Sequence, residues 1–138
     1  MHWNLEVVPV SVSDVDRAKA FYDEQVGFHL DLDHRVSDDL RIVQLTPPGS
    51  ASSIQLKAGD SRLEGLQLVV VDVDAARAEL AERGVDVTPV MHFEDGVRLE
   101  GRGGDWNSFV FFADPDGNTW VIQERPPAVS GRASAVRS

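Results

Sequence analysis

Four glutamines, Gln44, Gln55, Gln67 and Gln123, fall inside segments that read as β-strands, where glutamine is not a favoured residue. A neutral amide offers both a hydrogen-bond donor and an acceptor. Several amides on an apolar surface suit a neutral, polar organic ligand, and strand-end or dimer-interface roles account for them equally well. Aromatic residues crowd the later part of the chain: Trp106, Phe109, Phe111, Phe112 and Trp120. Trp106 follows the run Gly101-Arg102-Gly103-Gly104-Asp105, and with Phe109 it is placed to stack on a flat molecule. Strand alternation sets Phe109 and Phe111 opposite Phe112, so one side of that cluster is core packing. Of the four histidines, His92 is the candidate for chemistry. It opens a long loop and precedes Phe93-Glu94-Asp95, where an imidazole can bind a ligand or move a proton near neutral pH. A hydrogen bond at the rim of a site is its plainer role. Alternation sets His29, Asp31 and Asp33 on one face of their strand and Leu30, Leu32 and His34 on the other, a pattern that suits solvated residues.

A repeated unit must position these side chains. Ser13-Asp14-Val15-Asp16-Arg17-Ala18-Lys19-Ala20 returns as Val71-Asp72-Val73-Asp74-Ala75-Ala76-Arg77-Ala78, an offset of 58 residues from Asp14 to Asp72. Leu5-Glu6 matches Leu63-Glu64, Val12 matches Val70 and, with one residue deleted, Gly27 matches Gly84. A repeat near the midpoint implies two copies of one supersecondary unit packed together. In the first copy, Leu5–Val12 reads as a strand, Ser13 or Asp14 caps a helix, and Gly27 ends it. Strands follow at Phe28–His34, Leu40–Thr46 and Ser52–Lys57. The second copy runs through a strand at Glu64–Val71, a helix at Asp74–Arg83, and strands at Val85–Val90, Ser108–Ala113 and Asn118–Glu124. Met91–Asp105, with four glycines, reads as a loop. Each half therefore reads βαβββ.

The bulk composition excludes several classes of function. The chain has 138 residues, no cysteine and a formal net charge of −10. No thiolate chemistry or Cys-based metal site is available. Phosphate backbones and anionic membranes are repelled, so neither nucleic acid nor membrane is an expected partner. No apolar run approaches the roughly 20 residues of a bilayer span, and the first residues do not read as a signal peptide, which points to the cytoplasm.

Two segments carry a resemblance to a known family: Pro9 through Tyr22 with Gly27-Phe28, and Phe112-Ala113-Asp114-Pro115-Asp116-Gly117-Asn118-Thr119-Trp120. With these, roughly residues 3–125 resemble the glyoxalase, bleomycin-resistance and ring-cleaving dioxygenase superfamily, also called vicinal oxygen chelate proteins. The resemblance implies an α+β fold in which two tandem βαβββ modules form a cupped mixed sheet, completed in a homodimer. It also implies that the loop after His92 borders the cup, with Trp106 on a flap. In metal-using members one ligand lies seven residues before each helix-starting Asp, and another on each module's last strand. Those places read Val7, Gly65, Gln55 and Val121 here, and only Gln55 carries a donor atom. A one-residue slip would bring in Glu6 and Glu64, which alternation instead points outward.

The expected organisation is one domain over residues 1–125, with modules 1–62 and 63–125, followed by a disordered tail at 126–138. The expected function is metal-free, cofactor-free binding of a small planar organic molecule. Its contacts would come from Gln55, Gln67, His92, Trp106, Phe109, Val121 and Gln123. The alternative is a lyase, isomerase or epimerase using an unusual carboxylate metal site or His92 as acid/base.

Overall fold

The computed structural model describes residues 1–127. The expected tail at Ala128–Ser138 lies outside the described residues, and Pro126-Pro127 has no regular structure. Strands β1 (Val7–Val12), β2 (His29–Ser37), β3 (Leu40–Thr46) and β4 (Ser53–Ala58) form one mixed sheet in the order β1-β4-β3-β2. A second mixed sheet has the order β5-β9-β8-β6-β7. Its strands are β5 (Leu66–Val70), β6 (Met91–Glu94), β7 (Val97–Glu100), β8 (Phe109–Ala113) and β9 (Thr119–Glu124). Helices α1 (Val15–Ala20) and α2 (Val73–Glu82) follow the first strand of each half. The described residues divide into two compact units, Met1–Glu64 with Ala113–Thr119, and Gly65–Phe112 with residues 120–127. Among the described residues no helix is long and apolar enough to cross a membrane.

In the first unit, β1 runs parallel to β4 (Val10 beside Leu56), and β3 runs antiparallel to β4. Val10, Val12, Val43, Leu45, Ile54 and Leu56 are buried together with Ala18, Phe21 and Tyr22. Asp14 caps α1 by accepting the amide of Arg17. The helix then widens into a π-helical turn over Phe21–Val26, which the sequence reading did not anticipate. Gly27 closes it in the left-handed region at φ 90°. The turn at 113–119 belongs to this unit, and the reason is chemical. The Tyr22 hydroxyl donates to Asp114 Oδ2 at 2.7 Å, and Asn118 Nδ2 donates to the Ser11 carbonyl at 2.9 Å.

Strand β2 corrects the expected alternation. A register shift between Leu30 and Leu32 leaves Asp31 as the extra residue, its carboxylate accepting the Thr46 hydroxyl. His29, Leu32 and His34 consequently oppose Thr46, Gln44 and Ile42, while Leu30 and Asp33 oppose Leu45 and Val43. Asp33 is thereby delivered to Arg41 Nε at 2.9 Å and Lys19 Nζ at 2.7 Å.

The second unit repeats the first half residue by residue as far as its helix. Asp72 caps α2 through the amide of Ala75, at the same spacing by which Asp14 caps through Arg17. The ladder pairs also correspond: Pro9 with Gln55 and Gln67 with Val121, Val10 with Leu56 and Leu68 with Ile122. Beyond α2 the copies diverge. No strand forms at Val85–Val90, because Pro89 lacks a donor and the Thr88 carbonyl accepts Arg77 Nε at 2.8 Å. The expected loop instead contains the β6–β7 hairpin. Asp95 (φ 51°) and Gly96 (φ 78°) make the two-residue turn whose twist matches paired strands.

Candidate functional site

Register and packing sort the five-stranded sheet into two faces. Phe112 and Trp120 stack with centroids 5.9 Å apart and, with Val110 and Ile122, lie on its buried face. Phe109, Phe111, Val121 and Gln123 alternate onto the opposite face. Gln67 joins them opposite Val121, and Val69 opposite Gln123. From β6, Met91 pairs with Phe109, and the Phe93 ring meets Phe109 edge-on at 5.4 Å and Phe111 at 6.4 Å. The three phenyl rings make a half-exposed aromatic platform beside two amides.

Those amides are not independent. Gln67 Nε2 donates to Gln123 Oε1 at 2.6 Å, and Gln123 Nε2 donates to the Trp106 carbonyl at 2.8 Å. This chain of hydrogen bonds fastens the 101–107 loop to the platform. Trp106 itself holds φ 63°, a left-handed conformation that is uncommon for a bulky residue and persists only where surrounding bonds impose it. Arg102 anchors the start of the loop, donating to Asp74 at 2.6 Å and to Glu124. Glu124 in turn accepts the Val73 amide at the start of α2. A pocket of about 520 Å³ opens beside the loop, lined by Asp72, Asp74, Arg102, Trp106, Glu124 and Pro126 among others.

His92 alternates away from Met91 and Phe93, so it leaves the platform's face. Its Nδ1 lies 2.9 Å from the Gly101 carbonyl and its Nε2 3.1 Å from Glu94. The Gly101 carbonyl, and next the Glu94 carboxylate, push its pKa above the usual histidine value. Protonated His92 donates to both partners; the neutral ring keeps one and turns a lone pair toward the other. The stability this gives is complete below pH about 6.5 and is lost as pH rises through the folded-state value. Thermal melts between pH 6 and pH 9 should therefore show wild type losing stability relative to His92→Gln as pH rises. Parallel profiles would refute the bridge.

Gln55 belongs to the four-stranded sheet, where its Nε2 donates to Gln44 Oε1 at 2.9 Å. The four strand glutamines thus form two pairs, a feature that residue types alone did not reveal. Arg98 was also missed: its guanidinium sits over the Phe111 ring, 4.2 Å from the centroid. The signal was present in the Asp95-Gly96 turn followed by Val97 and Leu99, which places Arg98 opposite Phe93.

The model of the glyoxalase/bleomycin resistance protein/dioxygenase superfamily matches residues 4–122. The chain belongs to this superfamily. Its structure is similar to that of TnmS3, an antibiotic-binding protein from Streptomyces sp. CB03234, with 33% identity and a TM-score of 0.70 over 92% of this chain and 98% of that one. A glyoxalase/bleomycin resistance protein from the same Streptomyces strain shares 34% identity at a TM-score of 0.68, over 88% of this chain and 100% of that one. The uncharacterized protein YetH of Bacillus subtilis (strain 168) is 24% identical over 123 residues, 85% of this chain and 94% of YetH.

Superfamily membership makes the metal positions worth testing against side-chain chemistry. The matching ladder registers make Gln55 and Val121 corresponding positions, one in each half. Val7, Gly65 and Val121 carry no side-chain donor atom, and Gln55 offers a single neutral amide oxygen. Glu6 and Glu64 are exposed and precede their strands. A divalent ion held by imidazole or carboxylate ligands does not fit this set.

Proposed function

We propose that this superfamily member binds a small planar organic molecule on the aromatic face of the five-stranded sheet, without a metal ion. Phe109 supplies the stacking floor, Gln67 and Gln123 the polar contacts, and Trp106 the loop that closes on the ligand. The observation that carries this reading is the half-exposed Phe93–Phe109–Phe111 platform beside a tethered amide pair. The antibiotic-binding description of TnmS3 supports it. Binding is favoured over catalysis because His92 is engaged by Gly101 and Glu94, away from the platform. Gln55 lies in the other sheet and takes no part in this face.

The test combines two measurements. Native mass spectrometry of protein purified without chelator or added metal should show a homodimer free of bound ions. Titration with 2-naphthamide as a planar, neutral probe should show binding that Phe109→Ala weakens about tenfold or more. One transition-metal ion per subunit, or an affinity indifferent to Phe109→Ala, would overturn the proposal.

A further inference from the structure

The platform carries a charge that its packing does not require. Arg98 comes from β7, the strand that has no counterpart in the first half, and it lies on the same face as Phe93, Phe111 and Gln123. In a chain with 23 acidic and 13 basic side chains, arginines find carboxylates readily. Arg17 pairs with Asp116, Arg41 with Asp16 and Asp33, and Arg102 with Asp74 and Glu124. Among the described residues, Arg98 makes no such pair, as Arg35, Arg77 and Arg125 make none, and it differs from them in that its recorded contact is an aromatic ring, that of Phe111. Glu100 projects from the same side of β7, opposite Met91, without closing a salt bridge to it. The guanidinium therefore keeps its in-plane N–H donors available beside an aromatic floor.

We infer that the molecule held on this face carries an anionic oxygen group on its planar ring, and that Arg98 reads that charge. This rests on the binding reading above and adds the ligand's class, an aromatic acid. A fork of N–H donors next to a stacking surface matches a ring-borne carboxylate, whose two oxygens lie near the ring plane. In a molecule with a net charge of −10, such a ligand needs one local cation to offset long-range repulsion.

The experiment compares 2-naphthoate with 2-naphthamide, which share a ring system and differ in charge, at one low ionic strength. Wild type should prefer the carboxylate by about tenfold, as expected of a charge-assisted hydrogen bond. Arg98→Gln should bring the ratio of the two affinities toward one, and Arg98→Lys should leave it between those limits. A wild-type ratio near one, or a ratio untouched by Arg98→Gln, overturns the inference. If 2-naphthamide still binds in a Phe109-dependent way, only the role of Arg98 falls. If neither probe binds, the site reading falls with it.

Discussion

Asp114→Ala is expected to lower the free energy of unfolding by about 3 to 5 kcal/mol, because several donors lose their acceptor at once and each unsatisfied buried group costs about 1 to 3 kcal/mol. The Asp114 residue is 5% exposed and its carboxylate accepts four hydrogen bonds. Oδ1 takes the amides of Asp116 and Asn118, each at 2.9 Å, and Oδ2 takes the Tyr22 hydroxyl at 2.7 Å and Asn118 Nδ2 at 2.8 Å. Alanine removes every acceptor at once while the donors stay buried, so their desolvation is no longer compensated. Tyr22→Phe deletes a donor with its bond and should cost about 1 to 2 kcal/mol. Urea unfolding monitored by circular dichroism reads both. A domain of this size has about 5 to 15 kcal/mol to lose, so the alanine variant should be visibly shifted in midpoint. An Asp114→Ala loss below that of Tyr22→Phe would show that the turn does not hold the first unit together.

The same residues show that this turn is structural. Asp-Pro-Asp-Gly-Asn is too short for an ion loop, and its carboxylates are used on the chain's own amides. The repeat was equally readable, because helix caps and ladder partners are local consequences of residue type. Asp14 and Asp72 cap at the same spacing, and Tyr22 and Leu80 fill matching buried places. What escaped was the effect of one added residue or one diverted bond. The extra Asp31 reverses the faces of β2 beyond it, and the π-helical turn after Ala20 carries Phe21 and Tyr22 into ring contacts, with each other and with Phe28, that no regular period describes. Of the residues expected to touch a ligand, Gln67, Phe109, Val121 and Gln123 share a face of the five-stranded sheet. That the amides bond to each other and to the Trp106 carbonyl, and that His92 turns away, depends on side-chain geometry outside any periodicity.

Gly103→Ala is expected to disorganise the 101–107 loop, weakening 2-naphthamide binding by about tenfold or more and costing about 1 to 3 kcal/mol of stability. A Cβ at this position would lie 2.3 Å from the Asn107 carbonyl oxygen and 2.8 Å from its side-chain nitrogen. Backbone must therefore move. Asn107 cannot shift alone, since its side chain accepts the Phe93 amide at 2.9 Å and donates to the Phe93 carbonyl at 3.0 Å. Displacing it disturbs one wall of the aromatic platform and the adjoining Trp106, whose φ of 63° depends on bonds to its neighbours. The neighbouring glycine supplies the control. A Cβ on Gly104 meets nothing within 4 Å, so Gly104→Ala should leave binding and melting near wild type. The two variants add the same methyl group one residue apart in the same loop. Equal behaviour would mean that loop flexibility, and not the close approach of Gly103 to Asn107, governs the site. A loss confined to Gly103→Ala would tie ligand affinity to the geometry that joins Trp106 and Phe93.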